Sequence, residues 1–443
     1  MANNKNFKIK NSLQVTKLKD FAATTTSTPD GPEGEFSTTL YTGTSNTAQN
    51  INTGIDLSGS NEGIIWTKNR DTTQTHFIST TTRGATKLLS PNSSDAEETQ
   101  QGLTAFLNNG FTANNLFVNN NGSNYVAWSW KSAPNFFDVV EYTGNRQDTN
   151  SYQDITHNLG STPGMIIVKE TSSADDWMVY HRSANSADGI VLKLNSTDAA
   201  SDGGNVIFDV SEINSSSFRV GNMNNVNANG VSYVAYLFGH DTSSSSKIQC
   251  GSFTGNGSAS GPSINLGWSP QWLLIRNSNR TANWRIIDTA RDFSSTATRD
   301  GLWANANAAE DSTSPLIIAR TSTGFDIKDN NSQINHSGEK IIYVAIRSVD
   351  PKFTLDLSTG NRFSFTPIAA TELIFSNPPA SGTPTGFSLE VENSSGYALT
   401  WPSSVKWHGG SAPGVNAGKS VYVFITTDGG TTYYGKLAGE GIA

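Results

Sequence analysis

Short apolar runs, β-branched or aromatic, alternate with clusters of Asn, Gly, Ser and Asp along most of the chain, a pattern that predicts strands. The runs recur in order. Phe36-Ser-Thr-Thr-Leu-Tyr-Thr-Gly43 is answered by Phe137-Asp-Val-Val-Glu-Tyr-Thr-Gly144 and by Ile248-Gln-Cys-Gly-Ser-Phe-Thr-Gly255. Further along each copy an apolar run ends in a cation: Ile64-Ile-Trp-Thr-Lys68, Met165-Ile-Ile-Val-Lys169, Trp272-Leu-Leu-Ile-Arg276. Each copy closes on one phrase, Tyr125-Val-Ala-Trp128, Tyr233-Val-Ala-Tyr236 or Tyr343-Val-Ala-Ile346. A period of roughly 105 residues predicts three domains, each closing its own core, and not a solenoid of short units.

In the second copy, strands are predicted at 136–142, 164–170, 176–181, 189–194, 205–209, 216–220 and 231–238. Strands at that spacing suit a β-sandwich or jelly roll. Helix is expected only briefly, at 94–100 and in the matching stretch 304–311. Interior positions align as well: Phe111, Phe218 and Phe325 precede the closing tyrosines, and Arg83, Arg182 and Arg291 follow the middle strands. The repeated arginines read as structural, each in an ion pair or bonded to loop carbonyls; the alternative is an acidic ligand held three times over.

After Val349 the vocabulary changes. Seven further strand patterns, with Asp428-Gly-Gly430 as a hairpin signal between the last two, predict one more β-sandwich. The expected organisation is an N-terminal segment and linker (1–35), three repeats (36–132, 133–242, 243–349) and a C-terminal β module (350–443). The fold class expected is all-β: tandem sandwich or jelly-roll-like domains, an extended N-terminal anchor and very little helix.

The first twenty residues carry Lys5, Lys8, Lys10, Lys17 and Lys19 against Asp20, and Phe7, Ile9, Leu13 and Val15 fall on odd positions. That period of two suits a strand that adds to another protein's sheet edge, with Phe7, Lys8, Ile9, Lys10, Leu13 and Val15 as the anchor; the alternative is a disordered basic tail.

Composition narrows the class. Only 15% of residues are charged and 10% are aromatic, so neutral polar groups must cover the surface, as in extracellular or virion β proteins. A net charge of −8 argues against nucleic-acid binding. No apolar run is long enough to span a membrane as a helix, and no signal-peptide core is expected. Cys250 is the only cysteine, which excludes an intrachain disulfide and C-x-x-C zinc sites; it stands opposite Val139 in the repeat alignment and is expected to pack as a small apolar residue.

Candidate chemistry is sparse. The six histidines (76, 157, 181, 240, 336 and 408) show no metal-ligand spacing, and no nucleophile elbow, Walker loop or dinucleotide fingerprint occurs. Asp175, Asp176 and Glu170, or Glu310 and Asp311, are the carboxylates a glycosidase could use, but acid pairs in loops read first as solvated surface. In the C-terminal module Trp401, Trp407, His408, Tyr433 and Tyr434 offer aromatic surface for stacking on sugars, and stand as candidate receptor contacts. No catalytic residue, metal or cofactor is expected.

Gly63-Ile-Ile-Trp-Thr-Lys-Asn-Arg-Asp71, Arg83-Gly-Ala-Thr-Lys-Leu-Leu-Ser90 and Tyr125-Val-Ala-Trp-Ser-Trp-Lys131 resemble the repeat of tail-fibre and other structural proteins of marine cyanophages and related tailed phages. The resemblance covers residues 36–349, although the second copy has His181-Arg-Ser183 where the Arg-Gly-Ala-Thr-Lys phrase should stand. The C-terminal module resembles the terminal domain of such fibres, and the N-terminus their attachment segment. The resemblance implies a virion protein assembled in the host cytoplasm and a homotrimer. Its partners would be other virion proteins (tail adaptor or nozzle, baseplate, or capsid) and a host-surface glycan or protein, without nucleic acid or membrane insertion. A tail fibre for host attachment, with the repeats extending the distal module, is the expected function; the alternatives are a capsid-bound fibre or decoration protein and a polysaccharide-depolymerising tail enzyme.

Overall fold

The computed structural model describes residues 31–349 and 352–442, apart from 45–46, 115, 149–150, 185–188, 244, 295–300, 312–316, 368–370, 394–398 and 415–416. The anchor candidates Phe7, Lys8, Ile9, Lys10, Leu13 and Val15 lie outside the described residues. The described chain is nearly all β, as its patterning predicts. Contacts gather Asp30–Val349 into one compact unit and Asp350–Ala443 into another.

Within the first unit each copy is a two-sheet sandwich. In the second copy a six-stranded antiparallel sheet runs in the order Phe137–Thr143, Ser232–Phe238, Met165–Glu170, Met178–His181, Ile190–Lys193, Ser201–Asp202. A three-stranded sheet of Gln153–Thr156, Ser217–Val220 and Phe208–Asp209 faces it. Ile155, Ile166, Val168, Tyr180, Phe218 and Tyr233 fill the space between them. The run Met165–Glu170 is buried at every position, because its sheet has neighbours on both faces. Ile166 and Val168 point into the copy's own core, whereas Met165 and Ile167 point the other way, into a core shared by all three copies.

That shared core makes the three sandwiches one ring. It combines Trp66, Trp128 and Trp130 with Ile167, Trp177 and Tyr236 and with Trp272, Leu274 and Trp284. The Trp130 ring lies 6.3 Å from Phe137, 6.5 Å from Phe238 and 5.5 Å from Trp272, so aromatic groups of all three copies meet. Separate closed domains, the expectation from the period alone, would leave this second face of each large sheet in water.

The same contacts close each joint. Asp175 N donates to Ser94 O, Ala282 N to Thr197 O and Gln74 N to Asn307 O, at 2.8–2.9 Å. In return Glu97 N donates to Thr171 O, Ala200 N to Ser278 O and Glu310 N to Arg70 O. Between these bonds a ring nitrogen reaches the neighbour's loop: Trp177 Nε1 to Ser90 O at 3.1 Å, Trp284 Nε1 to Lys193 O at 2.8 Å, His76 Nε2 to Ala306 O at 3.1 Å. Stretches 94–100 and 304–311 are therefore docking loops and not the helices expected of them, since their backbone groups bond across the joint or, at Glu98–Thr99, in a strand. The short helices observed lie elsewhere, at Leu116–Asn119, Asn224–Asn227 and Ser332–Asn335.

Those one-turn helices explain the repeated Tyr-Thr-Gly or Phe-Thr-Gly phrase. A Cβ on Gly43, Gly144 or Gly255 would stand 2.1–2.3 Å from the carbonyl oxygen of Asn120, Ala228 or His336. The buried side chains of Asn119, Asn227 and Asn335 accept from the amides of Thr44, Asn145 and Asn256 at 2.8–2.9 Å, fixing that close approach. Entry and exit of the ring are adjacent as well: Gly31 packs on Ser348 and Val349, where a Cβ would meet the Ser348 carbonyl oxygen at 2.9 Å.

The C-terminal unit pairs a three-stranded sheet (Lys352–Asp356, Thr371–Ser376, Leu399–Thr400) with a five-stranded one (Arg362–Phe365, Thr385–Asn393, Gly418–Thr426, Tyr433–Ile442, Val405–Trp407). Phe353, Phe363, Phe387, Leu389 and Phe424 form its core. The hairpin turns through Gly429 and Gly430 at φ of 70° and 82°, where Asp428 Oδ1 accepts from Thr432 N at 2.9 Å.

Candidate functional site

Strand register decides which of the repeated arginines correspond. Ile64 faces Thr80, Met165 faces His181 and Trp272 faces Asp288, so Thr80, His181 and Asp288 are equivalent. Arg83 and Arg291 each follow three residues later. Arg182 follows immediately and does not belong to the set; Ala184 takes the place in the second copy, and Arg182 instead contacts the His240 ring.

The two true counterparts stand in different surroundings. At the joint between the third and first copies Arg291 is wholly buried, with Asp288 Oδ2 at 2.6 Å and Glu310 Oε1 at 2.7 Å. Trp128 Nε1 donates to the same Asp288 oxygen at 2.9 Å, and its ring stacks 5.2 Å from the guanidinium. Burial alone would lower the pKa of Arg291, but the carboxylates of Asp288 and Glu310 raise it. Arg70 clamps Glu310 from the other side at 2.6 Å. Glu310 is thus part of this closure and not a solvated loop acid.

At the joint between the first and second copies Arg83 pairs with Glu97, the counterpart of Glu310, and reaches Thr80 Oγ1 at 3.1 Å. Lys87 adds a longer contact to Glu97 at 3.4 Å. Beside them is a cavity of about 170 Å³ lined by Arg83, Glu141, Tyr142, Thr143, Thr171, Ser232 and Tyr233.

The cations that end the apolar runs are buried in the joints. Lys169 Nζ donates to Glu170 O at 2.6 Å and Ser173 O at 3.3 Å, and Lys68 makes the equivalent bonds to Asn69 O and Thr72 O. Arg276 donates to the carbonyls of Lys193, Ser196, Thr197 and Asp198 in the neighbouring loop. Burial lowers both lysines to about 8 and Arg276 to about 10. Each cation shapes a loop that crosses a joint.

Buried histidines serve the joints too. His76 accepts from Trp66 Nε1 at 3.0 Å through Nδ1, which leaves Nε2–H to donate to Ala306 O. His181 accepts from Ser183 N through Nδ1 and donates from Nε2 to Tyr343 O at 3.1 Å. Burial holds both neutral, pushing His181 down to about 4 and His76 well below its usual range. Cys250 is fully buried in the shared core, its thiol 3.4 Å from Gly239 O and its pKa raised by burial. Among the described residues no group of three His, Cys, Asp or Glu could hold a metal ion.

In the C-terminal unit the five aromatic and histidine candidates separate. Tyr433 is 2% exposed and belongs to the core, so it offers no contact surface. Trp401 and Trp407 are half-buried and lean on Tyr422 and Phe424, with Trp401 4.7 Å from Tyr422. His408 is exposed, and Tyr434, 62% exposed, faces Ile425 across the hairpin on the outer sheet face.

Residue patterning passed over the docking group at 76, 177 and 284. Its signal is an Asn 16 to 21 residues later, at 92, 195 or 305, whose side-chain oxygen accepts from the docking residue's own amide. No curated protein and no solved structure matches the chain. A family model, a domain of unknown function designated DUF7483, matches residues 32–348, the span of the ring with all three copies in one domain. With most of its length matched, the chain belongs to the DUF7483 family.

Proposed function

We propose that this chain is a structural protein of a phage particle, a tail fibre or fibre-associated component that displays β modules for adhesion to a host surface. The observation that carries the reading is the use made of the recurrent ionisable and polar aromatic residues. Arg276, His76, Trp177 and Trp284 bond across joints of the ring, and Lys68 and Lys169 brace the loops that do so. A module whose recurrent polar groups are committed to rigidity suits a scaffold.

The ring does not suit the spacer role that three tandem domains first suggest, because the chain enters it at Gly31 beside the residues by which it leaves, Ser348 and Val349. We assign it to display and not to reach. Likewise, three copies closed within one chain supply the threefold arrangement for which a homotrimer would otherwise be needed.

Mass spectrometry of purified particles, with immunogold labelling by an antibody to the ring, tests the reading. Gold on tails or fibres is expected; particles that lack the protein would overturn it, and gold confined to the capsid would favour the capsid-fibre alternative. Incubation with host polysaccharide and a reducing-end assay tests the depolymerase alternative, and release of reducing ends would overturn the purely adhesive role.

A further inference from the structure

We infer that the cleft at the joint between the first and second copies binds one uncharged sugar ring of a glycan. The ring supplies its own comparison. At the joint between the third and first copies the corresponding positions carry charge: Arg70 occupies the position of Thr171 and binds Glu310, while Asp288 occupies the position of Thr80 and binds Arg291. With Thr171 and Thr80 in their places, the Arg83–Glu97 pair lacks the second arginine and second carboxylate. The Arg83 side chain is only 6% exposed, its Nε has no hydrogen-bond partner, and the cavity remains beside it.

The chemistry of the walls selects the ligand. The charged residues of the lining are Arg83 and Glu141, one of each sign, so a net charge on the ligand gains nothing overall. Arg83 donates only; Glu141 accepts only, one of its oxygens already taken by the Thr82 hydroxyl; Thr171, whose hydroxyl donates to Ser232 O, is left to accept; and the hydroxyls of Thr143 and Ser232 do either. Neighbouring hydroxyls of a sugar can accept from a guanidinium and donate to a carboxylate together. A volume of about 170 Å³ falls below the roughly 300 Å³ at which drug-sized sites begin, which limits the occupant to one ring. The proposal rests on the adhesive reading only for the source of that sugar, a host-surface glycan.

Saturation-transfer NMR on the full chain, with glucose, galactose, mannose and glucuronate as probes, tests it. Transfer to at least one neutral sugar is expected, with millimolar affinity and weaker transfer to glucuronate. Thr171→Arg, which puts a long cationic side chain where Arg70 stands at the other joint, and Glu141→Ala, at an exposed position, should each weaken binding at least tenfold while thermal melting confirms folding. No transfer to any neutral sugar, a preference for glucuronate, or unchanged binding by folded variants would overturn the inference. Particle labelling reads out separately, so the cleft can fail while the structural role stands.

Discussion

Arg70 and Glu310 lie 240 positions apart in sequence and meet at 2.6 Å. They close the one joint that no linker spans, since the first copy runs into the second and the second into the third. The wholly buried Arg291 and Asp288 reinforce this joint, and no such network occurs among the described residues of the other two.

Glu310→Gln should therefore cost about 3 kcal/mol or more, because it leaves a buried guanidinium with one carboxylate fewer. The pair Arg280–Glu339, at the same 2.6 Å but nearer solvent with side chains 31% and 22% exposed, serves as control, and Glu339→Gln should cost less than about 1 kcal/mol. Urea denaturation of both variants checks the difference; equal losses would show that the closing network has no special weight.

Gly144→Ala places a methyl group 2.3 Å from the Ala228 carbonyl oxygen, and the helix that ends just before that residue is pinned by Asn227. A loss of about 2–4 kcal/mol is expected. Gly230→Ala meets nothing within 4 Å and carries only the strain of its φ of +74°, about 1 kcal/mol. Melting temperatures of the two variants should rank in that order.

The buried histidines make the ring acid-sensitive. Their folded pKa values lie below the unfolded value near 6.5, so between these limits the unfolded chain binds more protons. Stability is fully present above about pH 6.5 and falls as pH drops toward 4. His181 alone contributes roughly 3 kcal/mol of that loss at pH 4. Denaturation midpoints measured from pH 7 to 4 should decline, and His181→Gln should flatten the decline; a parallel curve would remove His181 from the account.

Lys68 and Lys169 work in the alkaline range. Their folded pKa values, lowered by burial to about 8, lie below the unfolded value near 10.4, so their contribution to stability rises with pH between the two. Lys169→Met should weaken that rise in denaturation midpoint between pH 8 and 10. An unchanged slope would show that this lysine is charged in the folded ring throughout.

Because one core is common to the three copies, the ring should unfold as a unit. Calorimetry of residues 31–349 should give one transition whose van't Hoff and calorimetric enthalpies agree. Residues 133–242 expressed alone would expose Ile167, Val179, Tyr236 and Phe238 to water and should aggregate or bind a hydrophobic dye. Three resolved transitions, or a well-behaved isolated copy, would contradict the shared core.

The strands were legible because both periodicities are strong. Phe137–Thr143 loses burial at alternate positions toward its end, and the second-copy patterns coincide with most strands found there. The ring was less legible, since a fully buried run such as Met165–Glu170 says that both faces are covered without saying by what. Its joints are formed by irregular backbone, which has no period to read. The Arg182 correspondence failed on an offset of two residues visible only in strand register, and Tyr433 was misplaced because a core tyrosine and a surface tyrosine stand side by side in Tyr433-Tyr434.

Closing three copies within one polypeptide also releases them from symmetry. In an assembly of identical subunits every substitution appears at every interface, so an arginine placed to seal one seam must seal them all. Here Arg291, Arg83 and Ala184 occupy the same position and leave one seam locked, one with a cavity beside its ion pair, and one with no arginine at that position. A lineage of such chains can change one seam while the other two keep the molecule whole.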